Sequence, residues 1–286
     1  MAYDKYFLTD NKPQINQKDL MLVIKQALAE DIGRGDITTQ LTIPKHKQIR
    51  VKIISQENFL LCGLSVAEKV FKTIDPGIRF EKKSKDGKSV RNRKTIAVIS
   101  GSANSILKAE RVALNLLSLM SGIATKTRKF VKRIRPFKTK ITDTRKTFPG
   151  LRGLQKYAVR IGGGYNHRIR LDEMLLIKDN HLKILGGYFS LPCVPKGYKT
   201  EIETQNLEEF KHALRFNPDV IMLDNMKIKD IKAAVKIRGA GKVKLEASGG
   251  INLSNIKKYA ATGIDIISVG ELTDSVKSVD INLEVT

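Results

Sequence analysis

The chain has 286 residues with a hydrophobic content of 41%, which is enough to form one large core or two smaller ones. Lysine and arginine total 52 against 29 aspartate and glutamate, a formal net charge of +23 that favours anionic partners such as nucleic acid, acidic lipid or phosphorylated metabolites. Two cysteines are too few for a disulfide framework, so we expect free thiols at Cys62 and Cys193. Residues 1–14 lack the apolar segment of a secretion signal, and no apolar run is long enough to span a bilayer. We therefore expect a cytoplasmic protein with no membrane contact.

The N-terminal part of the sequence mixes helical and extended patterns without a repeated unit. Apolar spacing predicts helices at 19–30, 65–74 and 103–121 and strands at 49–54 and 95–99. The polar, basic segment 79–94 contains Asp86-Gly87, a dipeptide typical of tight turns, so we predict a hairpin with this pair at its tip. This part is expected to be of the α+β type.

The second part of the sequence alternates short apolar strands with helical segments. The predicted strands are 140–142, 174–177, 200–202, 220–223, 243–247 and 266–269, and the predicted helices are 207–215, 228–237 and 253–261. From the third of these strands onward, one strand and one helix together take just over twenty residues. This rhythm predicts a parallel sheet with crossover helices, either closed or open.

The residues that follow these six strands favour a barrel. They are Asp143-Thr144-Arg145-Lys146, Lys178, Glu203, Asp224, Ser248-Gly249-Gly250 and Gly270. Loops are polar in general, which explains some of this pattern but poorly explains so regular a succession. A (β/α) barrel collects functional residues from several strand ends on one rim, whereas a doubly wound sheet binds its ligand at one switch point. Because six strands fall short of eight, we expect an incomplete barrel.

These residue types suggest how an anionic ligand is bound. Glycine backbone in the last two loops, at 248–250 and 270, is typical of a phosphate site in barrel enzymes. Glu203 and Asp224 could each form salt bridges with the many cations. Together, facing a phosphate, they suggest Mg²⁺ binding or stabilisation of an oxocarbenium ion. His167 lacks the spacing of a zinc ligand and is more consistent with a hydrogen-bond donor to an anion.

The sequence resembles the nicotinate-nucleotide pyrophosphorylase (carboxylating) family, also called quinolinate phosphoribosyltransferase. The resemblance extends in order over most of the chain, and as a set its motifs are highly specific. They are EDIGRGDITT (30–39), ERVALNLLSLMSGIAT (110–125), DTRKTFPGLR (143–152), KYAVRIGGGYNHR (156–168), IKDNH (177–181), EIE (201–203), MLDNM (222–226) and EASGGI (246–251).

The resemblance implies that quinolinate attacks the anomeric carbon of phosphoribosyl pyrophosphate, with loss of pyrophosphate and CO₂, to give nicotinate mononucleotide for NAD biosynthesis. The implied quinolinate-binding residues are Arg145, His167, Arg168 and Lys178, with Arg111 from a neighbouring subunit. Thr144 and Lys146 are implied in substrate binding, and Lys146, Glu203 and Asp224 in catalysis. Glu203 and Asp224 would also hold Mg²⁺, and Ser248, Gly249, Gly250 and Gly270 would seat the 5′-phosphate. No organic cofactor is implied.

The implied architecture is an N-terminal α/β sandwich domain, residues 1–112 completed by 273–286, and an incomplete TIM-like (β/α) barrel, residues 113–272. A homodimer or higher oligomer with shared active sites is also implied. One departure is Asp274, where the family often has His. The alternatives are a related molybdenum-transport-associated protein, which shares TRKTFPG but not the motifs at 166–168 and 177–181, and a nucleic-acid-binding protein. Nucleic acid is the weaker alternative because aromatic residues make up only 6% of the chain and no RNA-binding motif is present.

Overall fold

The structure is a computed structural model that describes residues 14–186 and 197–286; Cys193 lies outside these ranges. The described helices are α1 (Gln17–Ile32), α2 (Ile37–Thr42), α3 (Leu64–Ile74), α4 (Ala103–Arg133), α5 (Arg152–Gly162), α6 (Asp179–Leu185), α7 (Leu207–Arg215), α8 (Ile228–Arg238) and α9 (Ile256–Ala260). The described strands are β1 (Gln48–Ser55), β2 (Phe59–Leu60), β3 (Arg79–Lys82), β4 (Ser89–Val90), β5 (Thr95–Ser102), β6 (Lys140–Thr142), β7 (Leu175–Ile177), β8 (Thr200–Thr204), β9 (Val220–Asp224), β10 (Lys244–Ser248), β11 (Ile266–Ser268) and β12 (Ile281–Val285). None of the helices among these residues is long and apolar enough to cross a membrane.

Tertiary contacts divide the described chain into two compact units. The first, which we call the antiparallel unit, comprises residues 14–128, 147–163 and 275–286; the second, the barrel unit, comprises 129–146, 164–186 and 197–274. The domain boundaries expected from the sequence, at 112/113 and 272/273, stay predictions. The contact grouping places residues 113–128 and 147–163 with the antiparallel sheet.

The antiparallel unit contains a four-stranded sheet in the order β12-β1-β5-β3. Along β1, Val51 and Ile53 are buried while Arg50 is exposed, which is the alternation of a strand with one covered face. The C-terminal strand β12 pairs antiparallel with β1 from Val51↔Val285 to Ser55↔Ile281. The C-terminal residues thus complete the sheet of the N-terminal part.

The hairpin predicted over 79–94 is wrong. β3 pairs with β5, whereas β4 pairs with β2, so the two arms of the segment do not pair with each other. The turn between them is held elsewhere, because the Asp86 carboxylate accepts the N–H groups of Gly63 and Leu64 at 2.9 and 3.0 Å at the start of α3. A carboxylate at a helix N-terminus satisfies amides that have no partner within the helix, and this anchor draws the two arms apart.

Helix α4 also differs from its prediction, since it continues beyond residue 121 to Arg133. The many basic residues between 122 and 133 made the apolar face of this extension hard to recognise in the sequence. Ile123, Thr127 and Phe130 are buried at the spacing of three to four residues that marks one helix face, while the charged side chains lie between them.

The barrel unit contains a six-stranded parallel sheet in the order β6-β11-β10-β9-β8-β7. The first strand pairs with the last, β6 with β11, through Ile266↔Lys140 to Ser268↔Thr142. A doubly wound sheet reverses its winding at a switch point, whereas here the strands follow one another in chain order around a ring. Since no pairing of β6 with β7 occurs among the described residues, the ring is open there, and the predicted incomplete (β/α) barrel is confirmed.

Candidate active site

A cavity of about 790 Å³ lies at the carboxyl-terminal ends of the barrel strands. Of the predicted site residues, those that line it are Thr144, Arg145, Lys146, His167, Arg168, Lys178, Glu203, Asp224, Ser248, Gly249, Gly250 and Gly270. Most of them end a strand or follow it directly, because parallel strands bring their carboxyl ends to one rim. The structure therefore brings twelve predicted residues together, all in the barrel unit.

Around this rim the residue types follow the order of the strands. Lys178 follows β7, Glu203 lies on β8 and Asp224 ends β9. The glycine loops then follow β10 and β11, and Thr144 to Lys146 follow β6. In the order of the sheet, from β7 to β6, the rim therefore carries a lysine, two carboxylates, two glycine loops and then the cationic segment 144–146. Cations lie at both ends of this order.

Asp143 organises the cationic segment from inside the barrel unit. Its fully buried carboxylate accepts hydrogen bonds from Asn166 Nδ2 at 2.6 Å and from the backbone N–H of His167 at 2.9 Å. The segment 165–168 is also joined to β6 through the bridge between Thr142 and Tyr165. The positions of His167 and Arg168 are therefore fixed by the first barrel strand.

Arg168 presents a buried cation to the cavity. Its side chain donates from Nη1 to the carbonyl of Met174 at 2.9 Å, and the residue is only 6% exposed. Its buried Nε–H has no hydrogen-bond partner among the described residues. Burial, followed by the charge of nearby Arg145, lowers the pKa of Arg168. A guanidinium held at the wall of the cavity is a suitable partner for a carboxylate ligand.

The ring of His167 is held at both of its nitrogens. The backbone N–H of Arg168 donates to its Nδ1 at 2.9 Å, so Nδ1 acts as an acceptor and the proton of the neutral ring is assigned to Nε2. Nε2 in turn lies 2.9 Å from a carboxylate oxygen of Glu201. The tautomer is thus fixed from both sides.

Beneath the rim lies a buried acidic layer that the sequence reasoning missed. Glu201 and Glu246 are fully buried. Burial raises the pKa of Glu201 to about 8 in spite of the charges of Arg168 and Lys178. Burial and, next, the charge of Glu201 raise the pKa of Glu246 to about 8. Each lies two positions before a predicted site residue, and the two-residue period of a strand was the signal that could have placed them on the same face.

Two groups of side chains offer ligand atoms to a cation. Ligand atoms of His167, Glu201 and Glu246 lie within 4.8 Å of one another. In this group His167 and Glu201 are already joined to each other by a hydrogen bond. Glu203 and Asp224 line the cavity itself. Each is engaged by one nitrogen donor, Glu203 by Lys178 Nζ and Asp224 by an amide, which leaves further carboxylate oxygen capacity. Mg²⁺ prefers one or two carboxylates together with phosphate oxygens, so this pair fits that ion.

The first of the two glycine loops, at 248–250, has a backbone that other residues rarely adopt. Gly249 and Gly250 have φ angles of +90° and +60°, which a Cβ disfavours. A Cβ added to Gly270 would lie 2.9 Å from a carboxylate oxygen of Asp274 and 3.3 Å from Lys146 Cδ. Asp274, the residue noted as a departure, therefore lies at the Gly270 loop and lines the cavity.

Arg111 is the one predicted site residue that does not line this cavity. It lies on α4 in the antiparallel unit, its side chain is 67% exposed, and it pairs with Glu110 at 3.5 Å. Its role in a neighbouring subunit stays a prediction. The structure adds lining residues that were not predicted as site residues. The polar ones are Asn225, Glu246, Asn252, Ser268, Glu271 and Asp274.

Comparison with known proteins gives consistent matches over most of the chain. The family model for the quinolinate phosphoribosyl transferase N-terminal domain matches residues 36–121, and the model for the C-terminal domain matches residues 123–284. The chain is 40% identical to the nicotinate-nucleotide pyrophosphorylase (carboxylating) of Mycobacterium leprae, covering 91% of this chain and 95% of the relative. It is 37% identical to a mitochondrial quinolinate phosphoribosyltransferase (decarboxylating) of Nicotiana tabacum, covering 93% and 82%. The solved nicotinate-nucleotide pyrophosphorylase of Francisella tularensis superimposes with a TM-score of 0.91 at 40% identity, over 97% of this chain and 100% of that one.

Proposed function

Since the chain belongs to the quinolinate phosphoribosyl transferase family, we propose that it transfers the phosphoribosyl group of phosphoribosyl pyrophosphate to quinolinate with decarboxylation. The products are nicotinate mononucleotide, pyrophosphate and CO₂, a step of NAD biosynthesis. The observation that carries the proposal is the convergence of cations, two carboxylates and glycine loops from six strand ends on one cavity.

Quinolinate is a dicarboxylate, and the cationic segment offers matching donors. Arg145, Arg168 and Lys178 line the same cavity. Arginine binds a carboxylate with a planar fork, and lysine adds a compact charge. We assign these residues to holding the ring so that its nitrogen faces the anomeric carbon. His167 lines the same cavity, but both of its nitrogens have protein partners, so we assign it to the wall of the quinolinate site. The ring nitrogen has a free lone pair, so the attack needs positioning more than a base.

The sugar phosphate fits the other part of the rim. The loops at 248–250 and 270 offer backbone N–H groups for the 5′-phosphate. They follow β10 and β11, which are neighbouring strands, and β10 is also the neighbour of β9, which bears Asp224. The carboxylates of Glu203 and Asp224 then face the positive charge that develops on the ribosyl group as pyrophosphate leaves. The same two residues would hold Mg²⁺, which supplies charge neutralisation for the pyrophosphate. We assign Lys146 and Thr144 to the phosphoribosyl moiety.

A homodimer with shared sites is part of the proposal. Arg111 is exposed on a helix of the antiparallel unit, which suits a side chain that acts in the cavity of a second copy. Two-fold symmetry would give two equivalent sites, each completed by its neighbour.

The proposed function is tested by product analysis with two pyridine substrates. Purified protein is incubated with phosphoribosyl pyrophosphate, Mg²⁺ and either quinolinate or nicotinate, and nicotinate mononucleotide is measured. The proposal predicts rapid product formation from quinolinate and little from nicotinate, which lacks the second carboxylate. Turnover of nicotinate alone, or of neither compound, contradicts it.

A further inference from the structure

Asn225 has an unusual backbone at the rim of the cavity. Its φ angle is +54°, and the described residues other than glycine that share a positive φ are Arg93 and Asn217. Of these three, Asn225 alone is part of the cavity lining. A left-handed backbone is unfavourable for residues with a Cβ, and asparagine tolerates it better than most. Such strain is often found where a functional site needs a particular geometry.

Three contacts connect Asn225 to both halves of the sugar-phosphate site. Its side-chain Nδ2 donates to the Asp224 carboxylate at 2.7 Å. Its backbone N–H donates to the carbonyl of Ser248 at 2.9 Å. Its amide also lies against Gly249, since a Cβ built on that glycine would lie 2.8 Å from Nδ2 and would overlap the amide oxygen. One residue therefore touches the carboxylate, the strand end and the loop.

The contacts of Asn225 lie where the direction of the Asp224 side chain is otherwise not fixed. Asp224 and Ser248 are register partners on neighbouring strands, so the strand pairing sets the distance between their backbones. The pairing does not set the direction of the Asp224 carboxylate, because a side chain at a strand end can rotate. The amide of Asn225 removes that freedom, and the left-handed turn places the amide between the carboxylate and Gly249.

We propose that Asn225 is a positioning residue that orients the Asp224 carboxylate against the Ser248–Gly250 loop, so that the ribosyl group and the 5′-phosphate are held in one geometry. This inference rests on the proposed function and deepens it. Asn225 does not touch the pyridine in this account, so its effect is confined to phosphoribosyl pyrophosphate. An asparagine that served only to turn the chain would leave both substrates equally unaffected when replaced by glycine.

The decisive variant is Asn225→Gly, because glycine accepts a φ of +54° without strain and only the amide is lost. We expect its kcat/KM for phosphoribosyl pyrophosphate to fall about 10-fold or more, as for the loss of one hydrogen bond to a charged group, with KM for quinolinate changed by less than about twofold. The matched control is Asn217→Gly, which has the same left-handed backbone at φ 47° in the α7–β9 connection and lies outside the lining. It should keep wild-type kinetics, and both variants should keep a wild-type melting temperature.

A second pair of variants tests the contact with Gly249. Gly249→Ala should lower kcat/KM for phosphoribosyl pyrophosphate because its Cβ displaces the amide of Asn225. In the double variant with Asn225→Gly the displaced amide is absent, so the fold-loss in kcat/KM should be smaller than the product of the two single fold-losses. A fold-loss equal to that product contradicts a coupling between the two residues.

The outcomes separate the inference from the function on which it rests. An active wild type whose Asn225→Gly variant has unchanged kinetics, or weakens both substrates equally, overturns the positioning role alone. An inactive wild type overturns the proposed function and the inference with it. Titration calorimetry with phosphoribosyl pyrophosphate and Mg²⁺ gives a second reading, in which Asn225→Gly should bind more weakly than the wild type and Asn217→Gly equally well.

Discussion

Replacement of Arg168 by lysine keeps the charge and tests the geometry of the quinolinate site. In the wild type the guanidinium donates to the Met174 carbonyl at 2.9 Å while Arg168 also lines the cavity. Lysine has a single donor group, which cannot hold that carbonyl and reach the ligand in the same two directions. The loss of one hydrogen bond to a charged group costs about 1.5–3 kcal/mol, which corresponds to about a 10- to 150-fold weaker affinity for quinolinate.

Quinolinate binding by the lysine variant should also depend more steeply on pH than that of the wild type. Burial and Arg145 already lower the pKa of Arg168, and the same surroundings lower the pKa of a lysine, whose ordinary value is nearer neutrality. As pH rises, the lysine loses its charge and quinolinate binding weakens further, while the guanidinium stays charged.

The assay is titration calorimetry of wild type and Arg168→Lys with each substrate. Quinolinate affinity should fall by the factor above, and phosphoribosyl pyrophosphate affinity should stay within about twofold. The matched control is Arg128→Lys, because Arg128 donates to the carbonyls of Gly162 and Ile161 and does not line the cavity. That variant should lose thermal stability and keep both affinities. Equal weakening of both substrates by Arg168→Lys would refute the assignment.

Three further predictions concern the buried layer, the metal and the dimer. The pKa of Glu246, raised by burial from 4.5 to about 8, means that the folded state holds a proton more tightly than the unfolded state. The contribution of this proton to the free energy of unfolding is fully present below pH 4.5 and is lost as pH rises to about 8. Glu246→Gln should therefore gain stability relative to wild type between pH 5 and pH 9, by at most about 5 kcal/mol, in scanning calorimetry; a pH-independent difference contradicts this. Chelation of Mg²⁺ should abolish product formation and re-addition should restore it, whereas full activity in chelator contradicts the Glu203–Asp224 metal site. Arg111→Ala and Lys178→Ala should each be inactive, and mixing them under subunit exchange, verified with tagged chains, should restore about a quarter of wild-type activity; no recovery indicates that Arg111 acts within its own chain.

The barrel and most of its rim were predictable because strand periodicity is a local property of the sequence. Alternation along each strand fixes which residues face inward, and parallel strands end on one side. This is why Glu203, Asp224 and the loop at 248–250 line one cavity, as expected. By the same two-residue alternation, Glu201 faces the same side of its strand as Glu203, and Glu246 the same side as Ser248.

The parts that sequence reasoning missed depend on tertiary contacts. The left-handed backbone of Asn225 accompanies contacts with Ser248 and Gly249 at the end of the next strand. An asparagine tolerates this backbone, but its residue type alone does not predict those contacts. The arms of segment 79–94 separate because Asp86 binds the start of α3, a partner more than twenty residues away. Similarly, the ion pair of Lys178 with Glu203 joins two residues that the sequence assigned to different ligands.

The central claim is coupled phosphoribosyl transfer and decarboxylation at this cavity, and label release tests it most directly. Quinolinate labelled in its 2-carboxylate is incubated with the protein and Mg²⁺, with and without phosphoribosyl pyrophosphate, and labelled CO₂ and nicotinate mononucleotide are measured together. The account predicts equal amounts of the two products in the presence of phosphoribosyl pyrophosphate and neither in its absence. Labelled CO₂ without phosphoribosyl pyrophosphate, or a nucleotide that retains the label, would contradict it.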